Sequence, residues 1–332
     1  MIESLSHYKI LERLGAGAMG ELYRARDTQL GRTVALRVIA ADIAADPERR
    51  ERFLLDARAA TALSHPNIAT LYEIGDDQDQ LFLVCEYARG DSLKTVIAGH
   101  PVKPRRAIDL AVQIADALAD AHARDIVHGD IRPDNIIVTT KGNAKILDFG
   151  LAAWTAGGAA RRQAAAPAPG SPDVPLGALA YLSPEQALGE RVDQRTDVFS
   201  LGVVLFEMLT GKLPFTAATS RALTLQVVQA TAPAPSTMIG SLPPELDPIL
   251  AKALAKSLEH RYETAATFAA ELRSVAAVLD VRSEASEAAG EVVAPGPPRR
   301  AASRSWILVL LVLAALAAAA WFERDMILRV IR

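Results

Sequence analysis

Residues 126–150 read IVHGDIRPDNIIVTTKGNAKILDFG. Two short runs, 136–139 and 144–147, are apolar or β-branched and flank Lys141-Gly142-Asn143, the pattern of a β-hairpin. A hairpin returns the chain on itself, so residues just before its first strand lie beside residues just after its second. With the turn centred near 141–142, Asn135 is expected opposite Asp148, their Cα atoms roughly 5 Å apart. Asp130 sits on the loop just before Asn135. One open end of one hairpin thus gathers two carboxylates and an amide. Such oxygen donors suit Mg²⁺, a hard ion usually held by one or two carboxylates together with substrate phosphates. Asp130 is then free to orient a nucleophile. A polar loop running into a polar turn is common, but an Asp-x4-Asn with Asp-Phe-Gly beginning at Asp148 is not.

This pair of motifs resembles the catalytic and metal loops of protein kinases, H-R-D-x4-N and D-F-G. Here the first reads His128-Gly129-Asp130 and ends at Asn135, and the second is intact as Asp148-Phe149-Gly150. The resemblance implies an α+β, two-lobed protein-kinase fold, with a small β-rich lobe over residues 8–87 and a larger helical lobe over 91–279. It also implies ATP and Mg²⁺ as cofactors. Asp130 would orient the substrate hydroxyl, Asn135 and Asp148 would hold the metal, and Arg132 would stand where the family's lysine meets the γ-phosphate.

The first lobe is expected to be strand, turn, strand, turn, strand over residues 8–39. Within it lies Leu14-Gly15-Ala16-Gly17-Ala18-Met19-Gly20-Glu21-Leu22. Glycines at this spacing let a backbone approach phosphates with its N–H groups as donors. A dinucleotide fingerprint would need a helix next, whereas residues 22–25 and 34–39 read as strands, which favours the kinase Gly-rich loop. Val34-Ala35-Leu36-Arg37 occupies the place of V-A-I-K, with arginine for lysine. A helix is expected over 47–65, with Phe53, Ala57, Ala60 and Leu63 on one face. Asp56 borders that face, where the family places the helix-C glutamate. Cation lengthened and anion shortened, Arg37 and Asp56 are expected to keep the ion pair. The resemblance implies nucleotide contacts at Leu14, Gly15, Ala16, Gly17, Gly20, Leu22, Ala35 and Arg37, with Asp56 bracing Arg37. It further makes Cys85 the gatekeeper of the adenine pocket and gives the adenine edge to the backbone of Glu86 and Ala88.

A second helix is expected over 105–124, with Ile108, Ala111, Ile114 and Leu118 on one face. Residues 151–176 are Ala-, Gly- and Pro-rich, carry Arg161-Arg162, and read as a long loop in the activation-loop position. Family members switched through that loop grip its phosphate with the arginine of H-R-D. Glycine stands there in this chain, so activity is expected not to depend on phosphorylation of Thr155 or Ser171. Residues 176–186, LGALAYLSPEQ, resemble the G-T-P-A-Y-M-S-P-E-Q run of bacterial eukaryotic-like Ser/Thr kinases, with Ala178 for the threonine. Asp197 matches the buried aspartate that holds the catalytic loop, and Arg261 the arginine that pairs with Glu185.

The 332 residues suffice for one domain of kinase size, 8–279, plus extras, and a net charge of −3 points away from nucleic acid. The single cysteine excludes an intrachain disulfide, and the short polar start shows no signal segment. Residues 280–305 read as a disordered tether spanning roughly 25–30 Å. Residues 306–322 are apolar and uncharged, edged by Trp306 and Trp321, and are expected to cross a membrane. Residues 323–332 would form a short outer tail, with the kinase domain cytoplasmic and its partners proteins that carry Ser or Thr. Two alternatives are a nucleotide-binding scaffold, given the departures at Arg37, Asp56, Gly129 and Ala178, and a small-molecule phosphotransferase, given His-Gly-Asp. The Ser183-Pro184-Glu185 and Asp197 runs argue against the latter.

Overall fold

The computed structural model describes residues 3–154, 176–290 and 310–316. The chain divides into two units, Met1–Asp280 and Val281–Arg332. The first opens with strands β1 (Ser4–Leu5), β2 (Tyr8–Gly17), β3 (Gly20–Asp27) and β4 (Thr33–Ile39), then helices α1 (Ala41–Ala44) and α2 (Pro47–Ala60), then β5 (Leu71–Asp77) and β6 (Gln80–Glu86). These six strands form one antiparallel sheet in the order β1-β2-β3-β4-β6-β5. Side chains alternate along β6: Phe82 and Val84 pack with Tyr8, Ala25, Val34 and Leu36 on one face. Leu81 and Leu83 meet Phe53, Ala57 and Ala60 of α2 on the other. That period of two is the pleat of a strand covered on both sides. Helix α2 starts where its sequence says it should, with Asp46 accepting from the N–H groups of Glu48 and Arg49 and Pro47 in the first turn.

The larger lobe is built from β7 (Gly90–Ser92), α3 (Leu93–Ile97), α4 (Pro104–His122), β8 (Ile136–Thr139) and β9 (Ala144–Ile146). Beyond come α5 (Leu176–Leu179), α6 (Pro184–Leu188), α7 (Arg195–Thr210), α8 (Ser220–Gln229), α9 (Pro235–Met238), α10 (Leu246–Ala253) and α11 (Ala265–Gly290). On α4, Ile108, Ala111, Ile114 and Leu118 are fully buried, as their spacing predicts. Helix α7 is buried nearly all round, which marks it as the central post of this lobe.

Three sequence expectations shift. Helix α2 stops at Ala60, and Leu63 lies beyond it in the core of the larger lobe. The β8–β9 ladder pairs Ile136 with Ile146 and Val138 with Ala144. Its next step sets Asn135 against Leu147, whose N–H donates to the Asn135 carbonyl at 2.9 Å. Asn135 therefore does not face Asp148; Thr139 pairs with Asn143, so the turn holds three residues, 140–142, one more than the sequence suggests. Helix α11 runs to Gly290, so residues 280–290 are helical and the tether does not begin at 280. Of the expected membrane segment, 310–316 is helical and the rest lies outside the described residues. Among the described residues no helix is long and apolar enough to cross a membrane.

Candidate active site

The loop bearing Asp130 hangs from one buried carboxylate. Asp197, in the first turn of α7 and fully shielded, accepts from the backbone N–H of His128 at 2.8 Å and of Gly129 at 2.7 Å. The Nε2 of His122, at the end of α4, lies 2.8 Å from the same carboxylate. A carboxylate with this many donors tolerates burial because its charge is shared among them. His128 is held from both sides, with Nε2 at 2.9 Å from the Leu147 carbonyl and Nδ1 accepting from the Asp130 N–H at 3.1 Å. Its ring meets Phe149 edge-on at 4.7 Å. Gly129 takes φ +73°, a left-handed conformation costly for any side chain. The Asn135 amide donates to the Asp130 carbonyl at 2.8 Å and to its carboxylate at 3.1 Å.

Above this loop a cleft of about 220 Å³ is lined by Gly15, Ala16, Gly17, Leu22, Arg37, Asp130, Arg132, Asn135 and Asp148, together with Ala18, Met19, Asp134 and Leu147. Nine positions singled out from sequence thus share one cavity. Despite the register shift, Asp148, at φ +57°, lines the same cavity as Asn135. Leu14, Gly20, Ala35, Asp56, Glu86 and Ala88 do not line this cavity. Gly20 opens β3 just after the turn, where an added Cβ would run into the Val38 carbonyl. Ala35 pairs with Cys85 across β4 and β6. The Glu86 N–H donates to the Thr70 carbonyl at 2.8 Å, and the Glu86 carboxylate pairs with Lys145 at 2.8 Å.

The expected Arg37–Asp56 pair is not formed. Arg37 instead places Nη2 at 2.9 and 3.1 Å from the two oxygens of Asp148. Asp56 accepts from the indole N–H of Trp154 at 2.8 Å. The physical reason is reach and shape. Asp56 is one methylene shorter than the family's glutamate, while Arg37 carries a wide fork that seeks two oxygens and finds both on Asp148. Trp154 escapes a reading of the sequence because it stands in an Ala- and Gly-rich run with the composition of a loop. Its only signal is a large apolar side chain in such company.

Arg132 contacts Asp134 only loosely, at 3.5 Å, and its Nε is buried with no hydrogen-bond partner. The Cys85 thiol is pushed up to about 12 by burial, with the Asp148 charge adding to the effect and Arg37 opposing it. It is a neutral, inert group there. Arg261 and Glu185 form the expected bidentate pair, at 2.8 and 3.1 Å, both buried.

A family model described as the protein kinase domain matches residues 8–272. The chain belongs to the protein kinase family. Over 268 residues it is 38% identical to the serine/threonine-protein kinase PrkC of Bacillus subtilis, covering 80% of this chain and 40% of that protein. It is 39% identical over 272 residues to PknB of Mycolicibacterium smegmatis, covering 80% of this chain and 42% of that protein. The chain therefore matches about two fifths of the length of these relatives. Among solved structures, a cysteine-to-alanine variant of the kinase domain of Mycobacterium tuberculosis PknI superposes with a TM-score of 0.64 at 25% identity, covering 82% of this chain and 98% of that one.

Proposed function

We propose that the chain transfers the γ-phosphoryl group of ATP to Ser or Thr hydroxyls of proteins. The observation that carries this reading is the single cleft in which Gly15, Gly17, Arg37, Asp130, Arg132, Asn135 and Asp148 converge. Phosphoryl transfer asks little covalent chemistry of a protein and much positioning and charge stabilisation. Asp130, its carboxylate steadied by the Asn135 amide, orients the acceptor hydroxyl and takes its proton. The Gly-rich loop covers the phosphates with backbone N–H groups, and Arg132 and Arg37 offset their charge. The Asp148 carboxylate and the Asn135 amide oxygen are the donors that would hold Mg²⁺, which when bound neutralises charge on the transferring phosphates. On the adenine side, Leu14, Leu22, Ala35, Glu86 and Ala88 take the base.

Two further parts of the reading rest on sequence. Gly129 leaves no cation to grip an activation-loop phosphate, which supports activity independent of that modification. Thr155 and Ser171 lie outside the described residues. The uncharged run 306–322, helical over 310–316, supports a membrane anchor with the kinase domain in the cytoplasm. One observation favours a second reading, a nucleotide-binding scaffold: the carboxylate needed for the metal is held by Arg37.

The decisive experiment follows phosphate from labelled ATP to the purified chain and to a generic basic protein, with Asp130→Asn alongside. Transfer that disappears in Asp130→Asn supports the kinase. Transfer that survives belongs to a contaminant. Thermal stabilisation by Mg-ATP without transfer supports the scaffold.

A further inference from the structure

The backbone around Asp130 is held group by group. The N–H groups of His128 and Gly129 donate to Asp197, and the Asp130 carbonyl accepts from the Asn135 amide. The peptide unit between Gly129 and Asp130 is gripped at both edges. Its N–H, on Asp130, donates to the His128 ring at 3.1 Å. Its carbonyl, on Gly129, accepts from Nε2 of Gln186 at 2.7 Å. Gln186 stands 57 positions away, on α6, and is only 1% exposed. Its Oε1 accepts from the Ser183 N–H at 3.0 Å, while the Ser183 hydroxyl accepts from the Gln186 N–H at 3.3 Å, the reciprocal cap of a helix start. An amide has one donor end and one acceptor end, so a single orientation satisfies both Ser183 and Gly129. The cap thus aims the NH₂ group at the catalytic loop. Behind it, the Ser183 hydroxyl lies 3.3 Å from that of Thr196, which donates to Glu185 at 2.6 Å, and Glu185 pairs with Arg261. A buried polar network of this kind fixes one arrangement.

We propose that Gln186 is a positioning residue for phosphoryl transfer: its amide sets the peptide plane between Gly129 and Asp130, and through it the carboxylate that orients the acceptor hydroxyl. The inference rests on the reading of Asp130 as the group that meets that hydroxyl. Gly129 has no side chain to anchor it, and glycine leaves both backbone dihedrals free. The orientation of the plane therefore depends on what its two edges touch. Without the Gln186 amide the Gly129 carbonyl loses its donor, and a buried carbonyl is costly to leave unpaired. The plane then turns about its Cα–Cα axis toward another partner and carries Asp130 with it. Gln186 lies on the far side of the loop from the cleft and does not line the cavity. Its loss is thus expected to act on the rate of transfer and not on the binding of nucleotide.

The test uses the full chain, Mg-ATP and a generic basic protein as acceptor, with Gln186→Glu as the main variant. A protonated carboxyl reproduces the amide: its O–H donates to the Gly129 carbonyl and its C=O accepts from Ser183. The ionised form still accepts from Ser183 but sets an anion against the Gly129 carbonyl, so only the bond to the catalytic loop is lost. Burial raises the pKa of such a carboxyl toward neutral pH or above. The kcat of Gln186→Glu relative to wild type should therefore be close to one at about pH 6 and fall about tenfold or more by about pH 9, while the KM for ATP stays put. Glu185, Arg261, Asp197, His122, His128 and Asp130 belong to the same network and are common to both proteins, so the ratio reports position 186. Gln186→Met, which keeps length and loses both polar ends, should lower kcat by a similar factor at every pH. Thermal melting at each pH gives the folded fraction to which kcat is referred. A ratio that does not change with pH would overturn the proposal, as would a folded Gln186→Met with the kcat of wild type. Two variants that do not fold would assign Gln186 to the stability of the lobe and overturn it as well. Absence of transfer by the wild-type chain would overturn the reading of the cleft, and this inference with it.

Discussion

Asp197→Asn isolates what the buried carboxylate contributes to the catalytic loop. The wild-type group offers one oxygen to Gly129 N–H at 2.7 Å and the other to His128 N–H and His122 Nε2, both at 2.8 Å. Asparagine has one acceptor oxygen. If it keeps the pair of bonds to His128 and His122, its NH₂ group faces the Gly129 N–H, donor against donor. One hydrogen bond to a charged acceptor is lost, about 1.5–3 kcal/mol, and a buried N–H is stranded at about 1–3 kcal/mol. The sum is about 2.5–6 kcal/mol of folding stability. Gly129 immediately precedes Asp130, so relief of the clash moves the residue that meets the substrate hydroxyl. A displacement on the order of 1 Å costs roughly 100-fold in rate. The assay pairs urea denaturation with kcat on one preparation. Both quantities should fall, kcat by more than KM rises. A stability loss under about 1 kcal/mol with kcat within about threefold of wild type would refute the reasoning.

Arg261→Met strands buried Glu185 and should cost about 3–5 kcal/mol in a denaturation measurement, while Arg261→Met with Glu185→Leu should recover part of that loss. Burial raises the Glu185 carboxyl, but the hydrogen bonds and charge of Arg261 outweigh it and hold the group below its ordinary range. Its contribution is therefore intact above that range and lost as pH falls through it, and melting of wild type and the double variant should converge in acid. Gly129→Ala should cost about 1–2 kcal/mol in melting, since alanine at φ +73° is strained and its Cβ would sit 3.1 Å from that of Ala152. Burial, and then the Arg261 charge, lower the Lys256 ammonium to about 7. Above that pH the unfolded chain holds the extra proton, so stability should rise between pH 7 and the ordinary lysine range, and Lys256→Met should flatten the rise. Arg37→Lys with Asp56→Glu should keep or raise transfer activity while Arg37→Ala abolishes it. A folded double variant that transfers less phosphate than wild type would refute this.

Much of the fold is legible in the sequence because it follows from periodicity. The alternation along β6 and the Ile108, Ala111, Ile114, Leu118 stripe on α4 each appear where the spacing puts them. The site is legible as a set, since motif spacing and a hairpin suffice to bring Asp130, Asn135 and Asp148 to one cavity. The register is not, because Lys141-Gly142-Asn143 accommodates turns differing by one residue, and composition does not choose among them. The end of α11 is hidden for a related reason. Residues 280–290 are polar with three alanines, and such a run supports either a solvated helix or a tether.

The partner of Arg37 is illegible for a deeper reason. The family resemblance pairs Arg37 with Asp56 whereas the structure pairs it with Asp148, and each pairing is chemically sensible. The two arrangements differ by an exchange of hydrogen bonds to charged groups, each about 1.5–3 kcal/mol, and such terms nearly cancel when one replaces the other. In the structure Asp56 is taken instead by Trp154, which stands 98 positions away and belongs to no motif. The composition of a phosphoryl-transfer site is thus set by its motifs, whereas the partners its charged side chains take also involve neighbours outside them.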